Sequence, residues 1–343
     1  MAVSQSILIA GAGAVGSTCA YVLAKAGYVV TVVDPAPLGD NASGVAAGML
    51  APAFESLFDE ASHGRYALFA RARDMWPALA RQIGLRLDRY GAMALGTPAE
   101  AKRWVRELLA IGAGANTASR STRRWAAFTP DDWRLDPKAA LTALRAAAER
   151  RGARFVAGRV TAFAAGQADV EGADTINTDR LVIATGAGQD LARLAPELLG
   201  LTPIKGHILR AEGVFGDGPV LRVAGAYLCP SDASAIFGAT MEVGRADLEV
   251  DVKVASQLMD AGAQLTAMFG PSLWRPSVGV RAATPDGLPL VGRSATPDVV
   301  LAVGARRNGW LLAPMIANAV LDALRGREGA QTGLFDPARF SRG

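Results

Sequence analysis

Gly11-Ala12-Gly13-Ala14-Val15-Gly16 constrains the fold of this chain more than any other segment. It follows a strand-sized apolar run, residues 6–10, and opens a helical pattern over residues 14–26 that Gly27 ends. Residues 28–33 then read as a second strand closing on Asp34, which completes one βαβ unit. In such a unit the first glycine allows the tight turn, the second lets the backbone approach a pyrophosphate, and the third lets helix and strand pack closely. Helix amides receive the phosphate charge, and Asp34 stands where a carboxylate accepts a hydrogen bond from a ribose hydroxyl. A glycine-rich turn that only permits packing is the plainer alternative, but strand, helix and acid in register favour a dinucleotide site.

After Asp34 the pattern stops alternating regularly. Residues 35–52 form a small-residue loop longer than most strand-to-helix connections, and helical patterns follow over residues 58–83 and 98–111. Asp136 and Pro137 predict the cap and first turn of a helix reaching Arg151. Short strands are expected over 154–163 and 175–178, then a buried strand over 181–184 that ends in Thr185-Gly186-Ala187-Gly188. Residues 204–240 read as an antiparallel sheet, 252–269 as a helix, 299–303 as a returning strand and 312–324 as a last helix. An NAD dehydrogenase would continue the strand–helix alternation, so the interrupted pattern favours FAD. The expected fold class is α/β plus α+β: a discontinuous Rossmann-type FAD-binding domain (1–85, 136–200, 280–343) and a mixed, largely antiparallel substrate-binding domain (86–135, 201–279).

Composition narrows the function. At 343 residues about two domains are expected, and a formal charge of +4 is too small to imply a nucleic-acid partner. Arg120, Arg123 and Arg124, the densest basic cluster, read as a solvated loop because no aromatic residues interleave in a groove-reading pattern. Two cysteines (Cys19, Cys229) and two histidines (His63, His207) give no zinc or iron–sulfur spacing, and low cysteine content suits a reducing cytoplasm. The apolar stretch 7–24 has no basic region before it, its glycines explain it better than a signal sequence does, and no later run suggests a membrane partner.

Further segments carry a family resemblance. Ser43-Gly44-Val45-Ala46-Ala47-Gly48-Met49-Leu50-Ala51-Pro52, Leu181-Val182-Ile183-Ala184-Thr185-Gly186, Gly279-Val280-Arg281 with Thr284-Pro285-Asp286-Gly287-Leu288-Pro289-Leu290-Val291-Gly292, and Arg307-Asn308-Gly309-Trp310-Leu311-Leu312-Ala313-Pro314 together resemble the D-amino-acid oxidase superfamily of flavoenzymes. Within it, they are most similar to the glycine oxidases linked to thiamine biosynthesis. The resemblance implies FAD contacts at Gly11, Gly13, Ala14, Val15, Gly16, Asp34, Ser43, Ala46, Ala47, Gly48, Met49, Val160, Thr185, Gly186, Arg307, Asn308, Gly309, Trp310 and Leu311. It implies a catalytic site at Arg281, Tyr227, Arg307 and Met241, with Arg281 holding the substrate carboxylate and Tyr227 helping it. Met241 would form an apolar wall, and Arg306 is taken as the exposed neighbour of Arg307. Two positions depart from the pattern: Ser231 follows Pro230 where an arginine is usual, and Gly225 replaces a polar aromatic residue.

Flavin oxidation of an amine removes a hydride equivalent from the carbon bearing nitrogen, so the protein chiefly binds, orients and desolvates the substrate. The scarcity of histidine is compatible with that chemistry and weighs against a histidine-dependent hydrolase. The resemblance therefore implies noncovalent FAD, glycine or a small related amine as substrate, and O2 as acceptor, giving an imine or 2-oxo acid and H2O2. The alternatives are a D-amino-acid dehydrogenase passing electrons to a quinone or another acceptor, and a noncatalytic flavin-binding protein. A homo-oligomer is left open.

Overall fold

The computed structural model describes residues 5–121, 124–213, 215–266, 273–329 and 331–340. A six-stranded sheet runs in the order Leu290–Arg293, Val299–Val303, Arg180–Ile183, Ser6–Ala10, Val29–Asp34, Arg154–Ala157. All neighbours are parallel except the Leu290–Arg293 edge. Helices Ala14–Lys25, Pro137–Glu149 and Gly309–Leu324 pack into one core on this sheet, and the three-stranded sheet built from Arg159–Ala164, Gln167–Glu171 and Ile176–Asn177 contributes to a second. Cover on both faces explains why Val299–Val303 is apolar at every position instead of alternating. Each fully buried Leu or Ile side chain in these cores contributes about 1.5–3 kcal/mol relative to exposure.

The second large sheet has nine strands and is antiparallel apart from the parallel pair Val220–Val223 and Ala92–Gly96. Its long central strand, Thr202–Glu212, pairs on one side with Ser234–Gly238 and on the other with Arg275–Ala283. That register places Arg281 opposite Ile204 and Gly279 opposite Gly206, so the strand that returns the chain toward the first sheet also crosses the junction between the two.

Several elements differ from expectation for local reasons. The helix expected over 58–83 is instead Pro52–Phe58, a single 3-10 turn at Glu60–Ser62, and Tyr66–Ile83. Asp59 takes the Ser62 hydroxyl (2.7 Å) and Gly64 adopts φ +72, and together they break the helix. The loop 35–52 contains the short helix Ala42–Val45 and the two-residue strand Met49–Leu50, paired with Trp133–Arg134. The run 154–163 divides at Gly158, where a Cβ would sit 2.8 Å from the Glu171 carbonyl, and its halves enter different sheets. The helix expected over 252–269 breaks at Gly262, where a Cβ would overlap the Phe237 ring, and residues 267–269 lie outside the described residues. Arg120 and Arg124 fall on strands instead of a loop, while Arg123 lies outside the described residues.

Candidate cofactor groove and active site

The glycine turn is packed so tightly that side chains are excluded. Gly11 has φ +107 and a Cβ there would approach the Ala184 carbonyl to 2.4 Å; one on Gly16 would lie 1.9 Å from the Gly11 carbonyl. The turn is thereby clamped between the ends of strands Ser6–Ala10 and Arg180–Ile183. Asp34 braces it, accepting from the Ala12 N–H (2.6 Å) and the Ala36 N–H (2.8 Å). A carboxylate has about four acceptor sites, so two remain for a ribose.

Gly11, Gly13, Ala14, Val15, Asp34, Ser43, Ala46, Thr185, Gly186, Arg307, Gly309 and Trp310 line one open groove. FAD fits it: first-turn helix amides and an acidic strand end lie at one end, and the cradle would be narrowed by any Cβ at Gly13, 3.0 Å from the Ser43 hydroxyl. We expect Asp34→Ala to weaken FAD binding about 10- to 100-fold, as one charge-assisted hydrogen bond is lost. The apoprotein loses stability as well, because the Ala12 and Ala36 amides lose their acceptor. A titration of the apoprotein by flavin fluorescence checks this, and an unchanged affinity would leave Asp34 as a brace for the loop alone.

The segment 43–49 reaches from this groove to a smaller chamber, which Ala46, Ala47, Gly48, Met49 and Asn308 line. Its position depends on residues that sequence reasoning missed. Arg210 donates through one nitrogen toward the carbonyls of Gly44 (3.0 Å), Val45 (2.7 Å) and Ala46 (3.2 Å). The Trp310 indole donates to the Ser43 carbonyl (3.0 Å), and the Ser43 hydroxyl accepts from the Ala14 N–H (2.9 Å). Three expected contact residues stand apart, the first being Gly16, buried against the Gly11 carbonyl and lining neither space. The Val160 side chain is buried in the core under the sheet while its neighbour Arg159 lines the groove, and Leu311 is fully buried in the last helix. Either would have to meet a cofactor through its backbone.

Arg281, Tyr227, Met241 and Arg307 all line the smaller chamber. The Arg281 guanidinium donates to the Thr240 carbonyl (3.3 Å) and the Met241 sulfur (3.4 Å), and no carboxylate pairs with it among the described residues. Burial lowers its pKa, but an arginine so shifted remains a cation. Gly206 provides the space, since a Cβ there would lie 2.4 Å from the guanidinium. Burial pushes the Tyr227 hydroxyl up to about 12, so at neutral pH it is a phenol able to donate. Met241 is partly exposed and its sulfur meets Arg281, so its wall is not purely apolar.

Arg307 is not free. Its Nε lies 3.2 Å from Glu55, a buried carboxylate that also holds Arg222 at 3.1 Å, and this pairing raises the Arg307 pKa. Burial alone would raise the Glu55 pKa, but the Arg307 and Arg222 charges outweigh it and hold the carboxyl below its usual range. Arg306, expected to be exposed, is instead paired with Asp59 and less exposed than Arg307. Two guanidinium groups, Arg281 and Arg307, thus line the chamber against one carboxylate, Glu55, a field that favours an anionic ligand head at Arg281. The only sequence sign of Glu55 was an acid placed three residues after the recognised segment. The departures are accounted for as well: Gly225 sits in an exposed turn at φ +76, and the Ser231 hydroxyl donates to the Ser234 carbonyl (2.7 Å).

A Rossmann-type sheet opening on a dinucleotide groove, with an antiparallel sheet presenting an arginine that lacks a carboxylate partner at the groove's end, defines a flavin-dependent oxidoreductase. The family model described as FAD dependent oxidoreductase matches residues 6–323, and the chain belongs to that family. It is 31% identical to the putative thiamine biosynthesis oxidoreductase ThiO of Rhizobium etli, over 94% of this chain and 97% of that one. It is 27% identical to the glycine oxidase of Geobacillus kaustophilus, over 98% and 96% of the two chains, and the crystal structure of that enzyme superposes with a TM-score of 0.85 over 98% and 99%. The bifunctional tRNA 5-methylaminomethyl-2-thiouridine biosynthesis protein MnmC of Caulobacter vibrioides is 29% identical, and the chain spans 54% of its length. The protein is therefore an FAD-dependent enzyme of the glycine oxidase and ThiO type.

Proposed function

We propose that the protein oxidises glycine or a small related amine such as sarcosine at the smaller chamber, with O2 as final acceptor. The products are an imine, which water converts to a 2-oxo acid, and H2O2. The observation that carries this reading is Arg281: a half-buried cation lining both the chamber and the groove, paired with no carboxylate among the described residues and given room by Gly206. On this reading the six-stranded unit holds the cofactor and the nine-stranded sheet presents the substrate. FAD, when bound, supplies the two-electron acceptor for the hydride from the carbon bearing nitrogen. Arg281 grips the carboxylate with two hydrogen bonds, and the Tyr227 phenol adds a third donor. The wall of Met49, Ala47 and Ile208 excludes water from the reacting carbon. The Glu55–Arg307 pair keeps the neighbouring cation from competing for the carboxylate.

Anaerobic mixing with glycine and sarcosine should bleach the flavin absorbance, and admitting air should restore it with release of peroxide. Bleaching that only a quinone reverses would replace O2 as the acceptor, and no bleaching by any amino acid would sink the oxidase reading.

The same reading requires noncovalent FAD. Cys19 is buried within the first helix with its thiol pushed up to about 12 by desolvation, and Cys229 is buried with its thiol raised for the same reason. Neither lines the groove. Acid precipitation is expected to leave all yellow colour in the supernatant; colour retained in the pellet would point to a covalent link.

A further inference from the structure

The smaller chamber does not end at Tyr227 and Met241. These residues, with Ala239 and Arg307, also line a second, larger chamber on the far side, open to solvent. Glycine has no atoms to place there. The walls are nonetheless built from rings. Phe58, 44% exposed, stacks on Phe54 at 5.2 Å and meets Trp104 edge-on at 5.5 Å; Trp125 lines the same space. A protein that only needed to bind glycine would gain by burying such surface, and apolar surface left open beside a site marks a place where something binds.

Charge selects the occupant. Arg222 and Arg307, the cations deepest in this chamber, share the single carboxylate of Glu55, which leaves a surplus of positive charge. Glu100 is engaged by Thr97 and Arg103 lies 3.8 Å from Glu107. The walls therefore present aromatic faces beside a surplus of positive charge, which disfavours a cationic arm and suits an uncharged aromatic ring, whose face carries negative partial charge. We propose that this outer chamber is a substrate subsite that takes an uncharged aromatic arm attached to the amine, while Arg281 holds the carboxylate in the inner chamber. The inference rests on the inner chamber being the substrate site, and it makes an N-arylmethyl amino acid a better substrate than glycine.

The test uses the FAD-loaded enzyme and two carboxylates that lack an oxidisable amine, (benzylthio)acetate and (methylthio)acetate, titrated by flavin absorbance. The benzyl compound is expected to bind about tenfold more tightly or better, as burial of one ring warrants. Ala224, exposed in the turn beside Gly225, lines the outer chamber and contributes nothing to the inner one, so Ala224→Trp should fill the subsite without disturbing the core. That variant is expected to abolish the preference while binding (methylthio)acetate as the parent does. Equal affinities in the parent enzyme, or a preference that survives Ala224→Trp, would overturn the subsite. Anaerobic flavin reduction by glycine and N-benzylglycine separates this from the oxidase reading. Failure of the oxidase alone appears as no reduction by either amine with the affinity difference intact; failure of the subsite alone appears as reduction by glycine with equal affinities.

Discussion

Replacing Arg281 with alanine is expected to slow flavin reduction by amino acids about 30- to several-thousand-fold while leaving a neutral amine of similar size unaffected, with FAD still bound. The magnitude follows from removing one partner of a buried charge-assisted pair, on the order of 2 to 5 kcal/mol. The guanidinium makes only two weak contacts of its own, to the Thr240 carbonyl and the Met241 sulfur, so its loss leaves no buried carboxylate stranded and the fold should tolerate it. Gly206→Ala provides an independent check, because the new Cβ would meet the guanidinium at 2.4 Å and displace it without removing the charge. The deciding measurement is the ratio of reduction rates for the two substrate types in each variant at equal flavin occupancy. An equal fall for both types would assign Arg281 to the fold or the flavin, and no fall for either would move carboxylate binding elsewhere in the chamber.

The parts of this site that were legible in the sequence are those that local chemistry enforces. Gly11 and Gly16 could be read because only glycine survives within 2.4 Å of a neighbouring carbonyl, and that demand leaves a spacing signature. The capping of helix 137–149 by Asp136 was legible for the same reason: the side chain accepts from Ala139 N–H three residues on. Long-range partners leave no such trace. Arg210 reaches back more than 160 residues to hold Gly44, Val45 and Ala46, and nothing around it in sequence distinguishes it from a surface arginine. Glu55 joins Arg222, on the nine-stranded sheet, and Arg307, in the turn between strand Val299–Val303 and helix Gly309–Leu324, so its role exists only once these distant segments are assembled. The broken helix at 59–65 failed for a related reason. Its apolar periodicity continued, but Asp59 was already committed to Ser62 and Arg306.

The second large effect is expected at Glu55. Its carboxylate is buried with Arg222 at 3.1 Å and Arg307 at 3.2 Å; Arg222 is buried as well, while Arg307 is half-buried. Glu55→Gln keeps the shape but removes the carboxylate that pairs with Arg222 and leaves Arg307 with Asp59 alone, at 3.9 Å. Breaking a buried pair from one side costs about 3 to 5 kcal/mol, far more than an exposed ion pair contributes. The urea midpoint at pH 7 should therefore fall clearly in the variant, and an unchanged midpoint would show that water or Asp59 already screens the pair. The pH dependence has a definite sign. The folded-state pKa of Glu55 is held below its unfolded value, so the unfolded chain binds more protons as the medium becomes acidic and the carboxylate's contribution is present above the unfolded pKa of about 4.3. It is lost as pH falls through the folded pKa. Parent and variant should thus differ most at neutral pH and converge only as pH falls beneath the unfolded value and through the lower folded pKa, where the parent's Glu55 becomes protonated too. A gap that stayed constant down to the acid limit would mean that the substitution acts through packing around Phe54 and Met49, and that the Arg222–Glu55–Arg307 cluster does not hold this corner of the site by charge.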